Sequence, residues 1–150
     1  MSETTQFDRL KLENQLCFPL YACSKEIIRQ YKPFLDEIDL TYTQYIAMMV
    51  LWEEKEVNVT HLGERLFLDS GTLTPLLKKL EAKGLVERKR SVEDERVMKV
   101  SITEKGLKLR EKAVQIPDKM GACMDLTPQQ AVELYTVLYD ILHKFINAEK

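Results

Sequence analysis

The hydrophobic pattern changes its period at Gly84, and this change constrains the fold more than any other feature of the chain. Before Gly84, leucines recur at the spacing of one helical face, at Leu73, Leu76, Leu77 and Leu80. After it come two short β-prone runs, "LVERKR" and "RVMKVSIT", joined by the charged segment "SVEDE". Since glycine is the natural residue just past a helix end, the pattern predicts a helix followed directly by a hairpin.

Helical patterns fill most of the rest of the chain. The apolar stripe over residues 10–31 predicts a long helix that Pro33 bends or ends. Thr41 or Thr43 is predicted to cap a second helix, which runs to about Glu53.

Three further helix starts are marked by threonines. Thr60 is predicted to cap the short helix that precedes the leucine-rich one, and Thr103 a helix that reaches about Gly121. Thr127 precedes Pro128 and has a glutamine at capping-box spacing, so it predicts a last helix, ending near Asn147.

The order of these elements predicts a mainly α chain with a small β-hairpin wing, that is, a winged helix-turn-helix. Residues 39–106 are predicted to form the DNA-binding lobe. Residues 1–38 and 107–150 are predicted to be dimerisation helices, because their apolar stripes are wider than so small a central core can cover.

The charge distribution favours DNA as the partner of the middle segment. Residues 61–110 carry 12 Lys and Arg against 8 Asp and Glu, although the whole chain has a net charge of −2. The exposed side of the leucine-rich helix and the hairpin supply the candidate DNA-binding residues: Asp69, Ser70, Thr72, Thr74, Lys78, Lys79, Arg88, Lys89, Arg90, Asp94 and Arg96. Asp94 lies two residues before Arg96, so we expect its carboxylate to hold that guanidinium in a bidentate contact.

Other classes of protein find less support in the sequence. The N-terminus is polar and the chain lacks an apolar run of membrane-spanning length, so the expected location is cytoplasmic, with free thiols and no membrane partner. His61 and His143 are single and widely spaced, so no metal site is predicted. We also expect no cofactor and no enzyme activity.

Cys17 and Cys23 lie in the first predicted helix. Tyr21, four residues after Cys17, falls on the same face. Cys23 lies on the apolar stripe, which favours a small buried hydrophobic residue. Pro19 should kink or delay the helix, and a start near Phe18 would put Cys17 at the N-terminal end, where a thiolate is favoured.

The segment from Leu62 to Gly106 resembles the core of MarR-family transcriptional regulators, with Asp94, Arg96 and the run Ile102-Thr103-Glu104-Lys105-Gly106 matching the family's wing signature. Residues 11–45 resemble the organic-hydroperoxide-sensing branch, the OhrR-type repressors.

That resemblance implies a homodimeric repressor of pseudo-palindromic double-stranded operator DNA. It implies that Cys17 is the peroxidatic cysteine, supported by Tyr21 and, from the partner subunit, by residues matching Tyr31 and Tyr42. A hydroperoxide would convert the thiolate to a sulfenic acid, and Cys123 is the possible resolving thiol. Oxidation would then release the operator.

Three alternatives remain open. In the first, the chain is a MarR-type repressor that a small phenolic or apolar ligand releases from DNA, without thiol chemistry. A thiol peroxidase is disfavoured, because no threonine and arginine environment surrounds Cys17 in sequence and the basic wing would have no use. A helical dimer that binds only proteins would show no salt-dependent affinity for DNA.

Overall fold

The computed structural model describes residues 5–149, which form two compact units that divide between Val114 and Gln115. The α-helices are α1 (Cys17–Asp36), α2 (Tyr42–Glu54), α3 (Val59–Leu66), α4 (Ser70–Ala82), α5 (Glu104–Ala113), α6 (Ile116–Met124) and α7 (Pro128–Ala148). The strands are β1 (Glu56–Asn58), β2 (Val86–Arg90) and β3 (Met98–Ile102). The first unit contains α1 to α5 and the sheet, and the second contains α6 and α7.

The core of the first unit is built by α2, α3, α4 and the sheet. The leucine stripe of α4 is buried as predicted, and the fully buried side chains include Met48, Leu51, Leu62, Leu73, Leu77, Leu80, Val86 and Val100. The strands pair antiparallel in the order β1-β3-β2, so the predicted hairpin gains a short third strand at one edge. The predicted mainly α fold with a β wing is confirmed.

Local capping sets the ends of several helices. Thr127 forms the predicted capping box with Gln130. Of the two caps predicted for the second helix, the structure uses Thr41, which also forms a capping box, with Gln44. Gly84 has a φ of +75°, which closes α4 in the left-handed conformation that glycine tolerates.

The prediction that Thr60 caps α3 is wrong. The cap is Asn58, whose side-chain oxygen accepts a hydrogen bond from the backbone N–H of His61 at 2.6 Å. Asparagine is a stronger N-cap than threonine, and it begins the helix two residues earlier.

The bounds that the apolar stripe predicts for the first helix, residues 10–31, are also wrong, but the delayed start expected from Pro19 is observed and places Cys17 at the N-terminal end. Residues 6–10 and 12–14 form 3-10 turns, and α1 begins at Cys17 and continues through Pro33 to Asp36. An earlier start would leave the carbonyl of Gln15 without a partner, because Pro19 has no N–H to donate four residues later. Starting at Cys17 places Pro19 in the first turn, where it is tolerated.

A single helix from Thr103 to Gly121 is likewise not observed. Thr103 caps α5 as predicted, with its hydroxyl accepting from the N–H of Gly106, but α5 ends at Ala113. Pro117 would remove the hydrogen bond to the carbonyl of Ala113, so the chain breaks and α6 starts anew at Ile116.

Both terminal regions present apolar side chains to solvent in the single chain. Those before and within α1 include Phe7, Leu10, Leu12, Leu16 and Phe18. Those of α7, in the second unit, include Val132, Leu134, Tyr135, Val137 and Phe145. None of the described residues of α7 is buried, and an exposed apolar surface of this kind marks an interaction site.

Candidate functional site

The exposed side of α4 carries short polar groups at its start and cations further on. The carboxylate of Asp69 caps the helix by accepting from the N–H of Thr72 at 2.7 Å, and this hydrogen bond lowers the pKa of Asp69. Thr74 donates its hydroxyl hydrogen to the carbonyl of Ser70 at 2.9 Å, which leaves its oxygen as an acceptor. Lys78 and Lys79 are exposed on the same side.

Asp94 and Arg96 meet at the tip of the hairpin. Oδ1 of Asp94 accepts from the backbone N–H of Arg96 at 3.0 Å and from its Nε at 3.1 Å, while Oδ2 lies 3.4 Å from Nη2. The predicted bidentate contact is therefore present. These hydrogen bonds lower the pKa of Asp94, and the Arg96 side chain stays 92% exposed, so its guanidinium is held in place and still open to a ligand.

The other hairpin cations differ from Arg96 in their partners. Nη2 and the backbone N–H of Arg88 each donate to the carboxylate of Glu81 in α4 at 3.0 Å, which lowers the pKa of Glu81. Arg88 thus ties the base of the wing to α4. Arg90 donates to the carbonyl of Glu95 at 2.9 Å, and Lys89 lies 3.6 Å from Glu87 on an exposed face.

Cys17 is the first residue of α1 and is exposed. No side chain caps this helix start, so the first backbone N–H groups of α1 have no side-chain acceptor. Tyr21 follows one turn later and is also exposed, and Nζ of Lys25 lies 5.2 Å from the centre of its ring. The helix start therefore presents a thiol, a phenol and free amide donors on one accessible surface.

Tyr31 and Tyr42 lie together, although they belong to different helices. Their ring centres are 5.0 Å apart, and both rings also contact Tyr45, at 5.8 and 6.4 Å respectively. Tyr31 is 14 residues beyond Cys17 on α1, a rise of about 21 Å. Cys17 and Tyr21 thus lie one turn apart on α1, and Tyr31 contacts Tyr42, but these two pairs lie apart within one chain.

All three clustered tyrosines are protonated at neutral pH. Burial raises the pKa of Tyr31 and of Tyr42, and the neighbouring Tyr42 raises that of Tyr31 further. Burial, with smaller contributions from Tyr31 and Tyr42, raises the pKa of Tyr45 to about 12. Their hydroxyls therefore remain available as hydrogen-bond donors.

Tyr45 and Trp52 belong to this cluster and were missed by the sequence reasoning. Tyr45 lies 6.3 Å from Trp52, edge to face, and the indole Nε1 donates to the carbonyl of Gly106 at 2.8 Å. The signal was available in part, since Tyr42, Tyr45 and Trp52 recur at helical spacing along α2.

A cavity of about 520 Å³ lies beside Tyr42, between α1 and the start of α2. Ile28, Leu40 and Tyr42 supply apolar lining, while Lys25, Arg29 and Lys32 bring cations to it. It is large enough for a small organic molecule.

The remaining cysteines are also accessible. Cys23 is exposed in the single chain, like much of the α1 stripe on which it lies. Its burial, which depends on what covers that stripe in a dimer, stays a prediction. Cys123 is an exposed, free thiol in α6 of the second unit.

Residues 5–149 contain no group of three or more His, Cys, Asp or Glu side chains placed to hold a metal ion. In that same stretch, no helix is both long and apolar enough to cross a membrane.

Comparison with known proteins gives one consistent result. Residues 29–113 match the family model described as transcriptional regulator SarA/Rot. The organic hydroperoxide resistance transcriptional regulator of Bacillus subtilis (strain 168) is 50% identical over 137 residues, which cover 91% of this chain and 93% of the relative. The HTH-type transcriptional regulator SarZ of Staphylococcus saprophyticus is 45% identical over 133 residues, 89% of this chain and 91% of that protein. Among solved structures, reduced AbfR bound to DNA matches with a TM-score of 0.80 and 29% identity, over 97% of this chain and all of the other.

Proposed function

The chain belongs to the SarA/Rot family of MarR-like winged-helix transcriptional regulators, and on that premise we propose that it is a homodimeric, operator-binding repressor which organic hydroperoxides inactivate by oxidising Cys17. The observation that carries this proposal is the 50% identity to the Bacillus subtilis organic hydroperoxide resistance regulator, which extends over 91% of the chain. The position of Cys17 as the first residue of α1 supports it.

The helix start is suited to thiol chemistry. The N-terminus of α1 favours negative charge, and the accessible amide donors can stabilise both a thiolate and the oxygen that it gains. The sulfur attacks one oxygen of the hydroperoxide, so an S–O bond forms as the O–O bond breaks. The alkoxide leaves, takes up a proton and departs as an alcohol, and Cys17 is oxidised to a sulfenic acid.

The partner subunit completes the site. Tyr31 and Tyr42 are too far from Cys17 of their own chain, but they are adjacent to one another and protonated. In an antiparallel arrangement of two α1 helices, the partner's Tyr31 and the partner's Tyr42 meet the thiol and donate hydrogen bonds to it. Residues 1–38 and 107–150 form the dimer arms, and the exposed apolar side chains of α1 and α7 are covered there.

Each DNA-binding lobe, residues 39–106, reads one half-site. The exposed side of α4 enters the major groove with Ser70, Thr72 and Thr74 near base edges, while Lys78 and Lys79 neutralise phosphates. Arg96, held by Asp94, reaches the adjacent minor groove. Because the half-sites of a two-fold operator lie about 34 Å apart, a change in the dimer arms of a few ångströms separates the helices from the DNA.

Cys123 resolves the oxidised site in this proposal. Its thiol condenses with the sulfenic acid of Cys17 in the partner subunit, an intersubunit S–S bond forms and water leaves. The oxidant is consumed once per cysteine, so the protein is a sensor and not a turnover enzyme. As a regulator of chromosomal operators, it acts in the cytoplasm.

Footprinting on the DNA upstream of its own gene tests this function. Wild type should protect a pseudo-palindromic site and lose it when cumene hydroperoxide is added, whereas Cys17→Ser should keep it. Cys23→Ser is the matched control, since it makes the same change on the same exposed helix and should release like wild type. Release of Cys17→Ser by the same dose would reject Cys17 as the sensor.

The cavity beside Tyr42 favours one second candidate, release by a small phenolic or apolar ligand. Such a ligand would release Cys17→Ser and wild type equally, with no oxidant present. A titration of both proteins on the operator with salicylate as the probe separates the two mechanisms.

A further inference from the structure

Tyr45 connects the half-buried Tyr31 and Tyr42 to the interior of the DNA-binding lobe. Its side chain is only 2% exposed, and it contacts Tyr31 and Tyr42 on one side and Trp52 on the other. Protein interiors are packed too densely for a ring in this position to move alone. A displacement of Tyr31 or Tyr42 is therefore passed to Tyr45 and from there to Trp52.

Trp52 in turn holds the junction between the two DNA-contacting elements. Its indole N–H donates to the carbonyl of Gly106 at 2.8 Å. Gly106 is packed so tightly that a Cβ there would lie 2.3 Å from the carbonyl oxygen of Leu85 and 2.9 Å from Cγ1 of Ile102. Leu85 follows the end of α4, the proposed recognition helix, and Ile102 is the last residue of β3. Gly106 therefore packs against the chain at the end of both the recognition helix and the wing.

We propose that Tyr45 and Trp52 are positioning residues that transmit the oxidation state of the thiol site to the recognition helix and the wing, through the hydrogen bond from Trp52 to Gly106. The proposal rests on the function proposed above, in which the partner's Cys17 lies against Tyr31 and Tyr42. In the reduced protein the tyrosines hold the thiol, and the Trp52–Gly106 bond fixes the DNA-binding geometry. Oxidation to the intersubunit disulfide replaces the anionic acceptor of the tyrosine hydroxyls with a neutral sulfur, which is a much weaker acceptor. The rings shift, and the strain reaches Gly106.

Trp52→Phe tests the hydrogen bond while keeping a ring in the core. The measured quantity is the ratio of operator Kd values for oxidised and reduced protein, with cumene hydroperoxide as oxidant. We expect the ratio to fall about tenfold relative to wild type, mainly because the oxidised variant keeps binding. Met48→Leu, a change of one fully buried residue on the same helix, is the control for a general loss of core packing and should leave the ratio unchanged.

The chain offers a second readout, because Trp52 is its only tryptophan. Its emission should change on oxidation of wild type and stay constant in Cys17→Ser. Tyr45→Leu removes the ring between the site and the reporter and should abolish the change, while Tyr45→Phe should retain it. This measurement needs no DNA, so it tests the relay from Tyr45 to Trp52 even in a variant that has lost operator affinity.

The outcomes separate the two proposals. If wild type keeps its operator after oxidation, or Cys17→Ser loses it, the proposed function fails. If both behave as expected but Trp52→Phe has the wild-type ratio, or Tyr45→Leu retains the emission change, the relay alone is overturned.

Discussion

Oδ1 of Asp94 accepts two hydrogen bonds from Arg96, one from its backbone N–H and one from its Nε. Since Arg96 is almost wholly exposed, this carboxylate fixes the direction of a guanidinium that would otherwise sample many rotamers. The same carboxylate brings a negative charge close to the DNA, so we expect the gain from orienting Arg96 to exceed the local repulsion.

Asp94→Ala should therefore weaken operator binding by about fivefold, because Arg96 must be ordered on binding. Glu95→Ala is the matched control, as it removes the same charge from the neighbouring position and should leave binding equal or tighter. Fluorescence anisotropy at a fixed salt concentration measures both. Equal effects of the two substitutions would show that only charge matters.

Gly106→Ala should destabilise the fold by about 1–3 kcal/mol or more, as expected for overpacking against rigid backbone. The added Cβ would lie far inside contact distance of the carbonyl of Leu85. Gly121→Ala, where a Cβ meets no atom within 4 Å, should be neutral or stabilising, since alanine is the better helix former. Thermal denaturation compares the pair, and a normal Tm for Gly106→Ala would contradict the packing.

The buried phenol of Tyr45 makes the free energy of unfolding depend on pH in the alkaline range. The pKa of this phenol rises from about 10 in the unfolded chain to about 12 in the folded protein. The folded state therefore binds the proton more tightly, so the contribution is fully present below pH 10 and is lost as pH rises from about 10 to 12. Urea titrations across this window should show a shallower loss for Tyr45→Phe; identical slopes would mean that the phenol is not perturbed.

Pro19→Ala should slow the reaction of Cys17 with organic hydroperoxide roughly several-fold. Alanine allows α1 to extend towards residue 12, and the amide N–H groups that are free at the present helix start would then be taken up in helical hydrogen bonds. Pro33→Ala changes the other proline of the same helix and should not affect the rate. Stopped-flow consumption of the thiol gives both constants. A wild-type rate in Pro19→Ala would show that the reactivity of Cys17 does not depend on where α1 begins.

Oxidation of wild type should produce a covalent dimer on a non-reducing gel, and both Cys17→Ser and Cys123→Ser should lack it. Cys23→Ser, with the third exposed thiol removed, should still crosslink. A dimer band that survives in Cys123→Ser would exclude Cys123 as the resolving residue, whatever its effect on DNA release.

The elements that sequence predicts best are those whose causes are local. Thr41, Thr127 and Gly84 act within one turn of their own position, and the structure places each as expected. The wing signature formed by Asp94, Arg96 and Gly106 also lies within a short segment, and the family membership that it indicated is confirmed by the match over residues 29–113.

The bounds of α1 were predicted only in part, because a proline competes there with a hydrophobic pattern. The stripe over residues 10–31 continues through Pro19 and predicts too early a start, whereas the delay expected from Pro19 itself agrees with the observed start at Cys17. The prediction that Pro33 bends or ends the helix also missed that this proline is tolerated inside α1. Pro33 lies on an exposed side of the helix, where water can satisfy the backbone carbonyl that loses its partner.

The candidate site was predicted only in part, because half of it depends on tertiary packing. Cys17 and Tyr21 are four residues apart and were paired from spacing alone. The approach of Tyr31 to Tyr42 requires α1 to fold back on α2, and the bond from Trp52 to Gly106 joins residues 54 positions apart in sequence. Hydrophobic periodicity within one segment does not predict contacts between residues of different elements.

The ion pair between Arg88 and Glu81 has a consequence for the DNA that this chain can recognise. It joins β2 to α4 through two hydrogen bonds, so α4 and the wing, which we propose enter the major and the minor groove, keep one fixed offset. A base change at one contact should therefore alter affinity at that contact alone, whereas a base pair inserted between the two contacts should prevent them from forming together.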